Sequence, residues 1–221
     1  MNKFLNRAIW LIIIAPFLYL AISWKNIPEK VAMHFDLQGN PDQFGNKSQL
    51  WVLAGVIAVV SSLVFLLLTN MYKIDPKKHA AENKDRLLRI AFTVAVFTSG
   101  VSIMMIHAAT SSGGVKFNMR FVFVGMGFLW AILGNYLHNI KPNYFAGLRL
   151  PWTLENEDNW RQTHQLGSKL WFTGGLVVIA AGLLLKDLAL LLVMMIIITV
   201  LVIVPIVYSY RLYAKTKNQN K

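Results

Sequence analysis

Three groups of side chains in this sequence have types and spacings that could do chemistry. His34, Asp36 and Asp42 bring one imidazole and two carboxylates into nine residues, a donor set open to a metal ion. No cysteine and no histidine pair accompanies them, so the simpler account is a turn whose Asp and Asn cap their own backbone, with no metal. His164 lies close to Glu155, Glu157 and Asp158, a combination used in acid–base catalysis. Those carboxylates fall where a helix would start, at positions its dipole favours for anions, and they need no catalytic role. His164 is then a histidine packed at the membrane interface beside Trp160. Arg149 offers a planar five-donor fork that suits a carboxylate or a lipid phosphate; its structural alternative is a pair with Asp158 or a helix C-terminus. No nucleophile elbow, phosphate-binding loop or His-Glu-x-x-His pattern is present, so no enzyme, catalytic residue or cofactor is expected.

The elements that must position these groups are membrane helices. Of 221 residues, 56% are hydrophobic and 14% charged, where a soluble domain carries about 25%. Uncharged runs at residues 8–24, 48–72, 90–115, 121–140, 170–185 and 188–210 delimit six spans. About 20 residues cross the hydrocarbon, so the first and fifth runs are short and rely on flanking Lys25, Lys169 and Lys186 to snorkel outward. Trp10, Trp24, Trp51, Trp171, Tyr208 and Tyr210 are expected as interface anchors. The fold class is therefore an all-α integral membrane protein with one small folded extracytoplasmic loop. The first run also resembles a signal peptide with a weak Ala21-Ile22-Ser23 cleavage site, but bulky Trp24 follows it and retention is expected.

The net charge of +12 invites a nucleic-acid reading. The cations instead sit at the ends of apolar runs, where they orient helices. With the N-terminus inside, sixteen Lys and Arg fall on the inner side and six on the outer. Both termini are expected in the cytoplasm, and no direct nucleic-acid contact is expected. Gly127 and Ala131 form a small-x-x-x-small pair on the fourth span, and Gly174 and Ala181 lie seven apart on the fifth, which suits close helix packing. His107 and His138 lie near helix ends and read as interfacial.

Two loops exceed what a connector needs. In the outer loop, residues 25–48, Val31, Met33 and Phe35 alternate with Ala32, His34 and Asp36 as in a short strand, and Gly39-Asn40-Pro41-Asp42 reads as a turn. In the inner loop, residues 141–169, Asn156 is placed to cap a helix whose face carries Trp160, His164, Gly167 and Trp171.

Asn143, the run Gly147-Leu148-Arg149-Leu150-Pro151-Trp152-Thr153, and Trp160, His164 and Gly167 resemble the signature of the SdpI family of bacterial immunity proteins. Ile27-Pro28, His34-Phe35, Gly39, Asp42 and Lys47 resemble the small extracytoplasmic domain that often precedes it. The resemblance divides the chain into residues 1–72 with the outer loop, a basic cytoplasmic loop at 73–89, and a four-span region at 90–221. It implies a multi-pass protein of the bacterial cytoplasmic membrane that protects its cell from a secreted toxin peptide met on the outer side. In the founding member it also implies signalling, through a transcriptional repressor held on the cytoplasmic side. The residues it marks for ligand or partner binding are His34, Asp42 and Lys47 outside, and Asn143, Gly147, Arg149, Pro151, Trp152, Thr153, Trp160 and His164 inside. Gly147 would permit a backbone geometry or close approach that a side chain blocks, and Pro151 and Trp152 would fix the chain at the membrane surface. The competing reading is a membrane enzyme or transporter using the 141–169 loop. Among ionisable groups the spans hold only His107, which disfavours transport.

Overall fold

A computed structural model describes residues 3–36, 38–77, 80–110 and 118–219. Lys78, Lys116 and Lys221 of the charge count, and the end of the third uncharged run, lie outside the described residues. Among the described residues six helices are long and apolar enough to cross a membrane, so the chain is a multi-pass membrane protein. These are α1 (Lys3–Ser23), α2 (Gln49–Asn70), α3 (Lys84–Thr110), α4 (Met119–Leu137), α6 (Glu157–Leu184) and α7 (Asp187–Gln219), with a short α5 (Pro151–Glu155) ahead of α6.

The fifth run looked short because Arg161 and Lys169 interrupt the apolar stretch. The helix nevertheless runs unbroken for 28 residues from Glu157, with Asn156 capping it by accepting from the Asn159 backbone N–H at 2.8 Å. Trp160, His164 and Gly167 are buried on one face, as their spacing predicts. Trp10 departs from the expectation of an interface anchor. Since α1 begins at Lys3, Trp10 lies inside the helix and packs edge-on against Phe65 of α2, with ring centroids 5.3 Å apart.

Helix α3 packs chiefly against α1 and α2, and α4 chiefly against α6, with α7 on the other side of α6. The α4–α6 contact is backbone on backbone. A Cβ built on Gly175 would fall 2.5 Å from the Ala131 nitrogen, and one built on Gly127 would fall 2.7 Å from the Gly175 oxygen. The Gly127/Ala131 pair therefore does what its spacing suggests. Gly174 instead faces Leu201 and Ile197 of α7. Arg120, at the start of α4, donates to the Leu183 and Leu185 carbonyls at 3.3 and 2.9 Å and so closes the C-terminal end of α6.

The outer loop is a β-hairpin. Strands β1 (Lys30–Phe35) and β2 (Pro41–Asn46) pair antiparallel, with register irregularities around His34. Pro41 and Asp42, read from the sequence as part of the turn, begin the second strand. Pro41 pairs at the strand end, where its missing N–H costs no ladder bond. Asp36 closes the connection between the strands, accepting from the Asn40 backbone N–H at 2.8 Å and its side-chain amide at 3.0 Å. Val31 anchors the hairpin in a core formed by Leu20, Leu50, Ile106 and Ala109. A separate core of Met71, Leu87, Ile140 and Trp160 lies at the other end of α3. Leu87 sits near the start of α3 and Ile106 near its end, so the hairpin and the 141–169 loop occupy opposite ends of the bundle.

Candidate functional site

Asn143 organises the motif loop. It is fully buried, its Oδ1 accepts from the Phe145 and Ala146 backbone N–H groups at 2.9 and 2.7 Å, and its amide donates to the Lys141 and Ala146 carbonyls. Short polar side chains favour such local turns. Gly147 then adopts φ +104°, a region that glycine enters without strain. A Cβ at this position would collide with His164 Nε2. The absent side chain brings the next backbone N–H, that of Leu148, to 2.9 Å from His164 Nε2.

His164 is 1% exposed and its ring stacks on Trp160 with centroids 4.0 Å apart. Its Nδ1 lies 2.8 Å from the Trp160 carbonyl, which can only accept, while the Leu148 N–H can only donate to Nε2. The partners thus specify a neutral ring with its proton on Nδ1. Both nitrogens are committed, and His164 is not an interfacial side chain but the peg that holds the loop on α6. Trp160 is equally committed, its Nε1–H donating to the Ile140 carbonyl at 2.8 Å.

Pro151 takes the first turn of α5, where its missing N–H is not needed. Thr153, fully buried, accepts from the Leu150 N–H at 3.0 Å and lies 2.8 Å from the Leu148 carbonyl. Trp152 reaches across to α7. Its Nε1–H donates to Ser209 Oγ at 3.1 Å, and its ring stacks on Tyr213 and meets Tyr210 edge-on. Asn159 donates to the Ser209 carbonyl at 2.9 Å and accepts from Thr163 at 3.0 Å, completing a buried α6–α7 network. Arg149 takes neither partner expected of it. Asp158 pairs with Arg161 at 2.7 Å, and Arg149 donates to the Tyr144 carbonyl at 2.8 Å within the loop. Its side chain is exposed and the rest of its fork faces outward from these bonds.

Asp75, Lys77 and Asn83, from a stretch that gave no motif, dock on this loop. Asp75 accepts from the Tyr144 backbone N–H at 2.8 Å, and Lys77 donates to the Leu154 carbonyl. Asn83, fully buried, donates to the Lys141 carbonyl at 3.0 Å and accepts from the Lys141 N–H at 2.8 Å. A lone Asn among charged residues carries no sequence signal for this role. Asn159 and Thr163 do carry one, as a polar i, i+4 pair on an otherwise inward face.

At the other end, His34 Nδ1 and Asp42 Oδ1 lie 2.6 Å apart between the strands, both exposed. Asp36 turns to Asn40, so the three residues weighed as a donor set do not converge, and no metal-binding group of three occurs among the described residues. Lys47 is largely covered. It pairs with Glu29 at 2.8 Å and lies 4.9 Å over the Trp24 ring, where the cation meets the negative face. The structure thus separates His34, Asp42 and Lys47 from the inner set and knits the inner set into one loop.

Residues 139–209 match the SdpI/YfhL protein family, and residues 11–58 match a domain of unknown function, DUF1648. The chain is 24% identical over 170 residues to "Immunity protein SdpI" of Bacillus subtilis (strain 168), covering 76% of each chain. It is 30% identical over 50 residues to an uncharacterized protein of Archaeoglobus fulgidus, covering 23% of this chain and 27% of that one. No solved structure matches it. The first match ends at Ser209, the residue on which Trp152 and Asn159 close.

Proposed function

We propose that this chain, whose residues 139–209 match the SdpI/YfhL protein family, is a multi-pass membrane immunity protein that gives resistance to a secreted killing peptide. The observation that carries the reading is the similarity to the Bacillus subtilis immunity protein over 76% of both chains. The architecture suits it. A hairpin with exposed His34 and Asp42 stands at one end for capture, and a motif loop with exposed Arg149 stands at the other for response. The charge asymmetry favours a hairpin on the outer side and a motif loop in the cytoplasm. On this reading the cytoplasmic loop holds or releases a transcriptional repressor. A ligand shifts such a response only if it binds the two helix arrangements unequally.

The enzyme reading is weaker on chemical grounds. His164, the histidine weighed as a base, spends both ring nitrogens on backbone partners within the fold.

Deletion of the gene followed by challenge with antimicrobial peptides from neighbouring cells tests the function, and unchanged survival would sink it. Binding of the active peptide to purified protein then tests the division of labour. Substitutions at His34, Asp42 or Lys47 should weaken capture, and Arg149→Lys or Trp152→Ala should spare capture and lose protection. Equal loss of binding in both sets would refute two separate roles.

A further inference from the structure

A polar cavity of about 340 Å³ lies at the motif-loop end between α3, the end of α4 and the first turns of α6. Its walls include Arg86, Lys141, Glu157, Asp158 and Arg161. Two of its cations are engaged, Arg161 with Asp158 at 2.7 Å and Lys141 with Glu82 at 3.7 Å. Arg86 on α3 and Glu157 on α6 have no ion pair or hydrogen bond among the described residues. An unpaired cation and an unpaired anion therefore line one hollow from two different helices.

A second cavity, of about 280 Å³, is apolar and lined by Ile90, Leu133, Leu137, Leu148, Trp171 and Leu201. Ile140 is a wall of both. Arg86 and Ile90 are one turn apart on α3, and His138 directly follows Leu137 at the end of α4. Along both helices the polar hollow thus lies on the outward side of the apolar one, in the order that headgroup and hydrocarbon take at a bilayer boundary.

We infer that the two hollows together hold a phospholipid whose headgroup carries both a phosphate and a primary ammonium. Arg86 matches the phosphate, because its planar fork donates two parallel bonds to such an anion. Glu157 matches the ammonium, which offers N–H donors to a carboxylate. A choline headgroup offers the same charge without those donors. A glycerol headgroup leaves Glu157 opposed only by the anion. One acyl chain occupies the space beside Leu133, Leu137 and Trp171. Leu148 lines that space and bonds His164 through its N–H, so the bound lipid supports the motif loop from beneath.

Native mass spectrometry of the purified full chain tests this with phosphatidylethanolamine, phosphatidylcholine and phosphatidylglycerol of matched acyl chains. The ethanolamine lipid should be retained about tenfold better than either other, the worth of one charge-assisted hydrogen bond. Arg86→Gln should lower retention of the ethanolamine and glycerol lipids alike. Glu157→Gln should lower ethanolamine retention about tenfold and raise or spare glycerol retention. Leu133→Trp, which fills the apolar hollow, should expel the lipid with the headgroup residues intact. Glycerophosphoethanolamine, which has no acyl chains, should compete poorly. If it competes as well as the lipid, the site takes a free headgroup compound and the lipid assignment fails. Equal or better retention of phosphatidylglycerol, or unchanged retention in both charge variants, would overturn the proposal.

Discussion

Gly147→Ala makes the sharpest test of how the motif loop is built. The residue sits at φ +104°, and its new Cβ would run into His164 Nε2. Backbone strain for a non-glycine residue in that region costs about 1–3 kcal/mol. Moving the ring or the loop breaks the 2.9 Å bond from the Leu148 N–H to the buried imidazole, which costs about 1–3 kcal/mol more once a partner is left unmet. The expected total is about 2–6 kcal/mol, read as a lowered unfolding midpoint in detergent. A double-mutant cycle separates the terms. His164→Ala removes both the collision and the bond, so Gly147→Ala on that background should cost only the strain, about 1–3 kcal/mol. The two substitutions should therefore be non-additive. If Gly147→Ala melts like the parent, or costs the same with and without His164, the close approach of this glycine to the histidine is not what fixes the loop.

Further tests address other contacts. Trp152→Phe keeps the stack on Tyr213 and loses the bond to Ser209, so it should cost about 1 kcal/mol, and Ser209→Ala on top of it should add little. Gly175→Ala should destabilise by about 1–3 kcal/mol, because its Cβ meets the α4 backbone at Ala131; an unchanged melt would mean that α4 and α6 lie farther apart. Asn83→Ala leaves the Lys141 N–H without its partner and its carbonyl with the Asn143 amide alone, and should open the turn at residues 80–83 to proteases. The chain has no cysteine, so Gln43→Cys should react with an impermeant thiol reagent on intact cells and Asn156→Cys only after lysis. Labelling of both from outside would overturn the six-span topology.

Six spans, the capped start of α6 and its buried face were all legible in the sequence, because each depends on local features. An uncharged run of about 20 residues has few alternatives to a membrane helix, and Asn156 followed by two acids needs no distant partner to begin one. The family signature was legible too, but the parts its residues play were not. Arg149 stood between Asp158 and a helix end as partners, and only the folded loop, turned by Asn143, gives it the Tyr144 carbonyl instead. His164 stood beside acids in sequence, yet burial and two backbone partners turn it from a candidate base into a structural peg. Residues 73–89 read as a basic connector, while Asp75 and Asn83 tie that segment to a loop some sixty residues away. Local propensity and hydropathy act over a few turns of chain, so the sequence alone determined where each helix runs. Hydrogen bonds between buried polar groups are settled only when distant segments meet, because such a group must find whichever partner the packing supplies. The tertiary structure therefore decided which motif residues hold the loop together and which, such as Arg149, His34 and Asp42, remain exposed to meet something else.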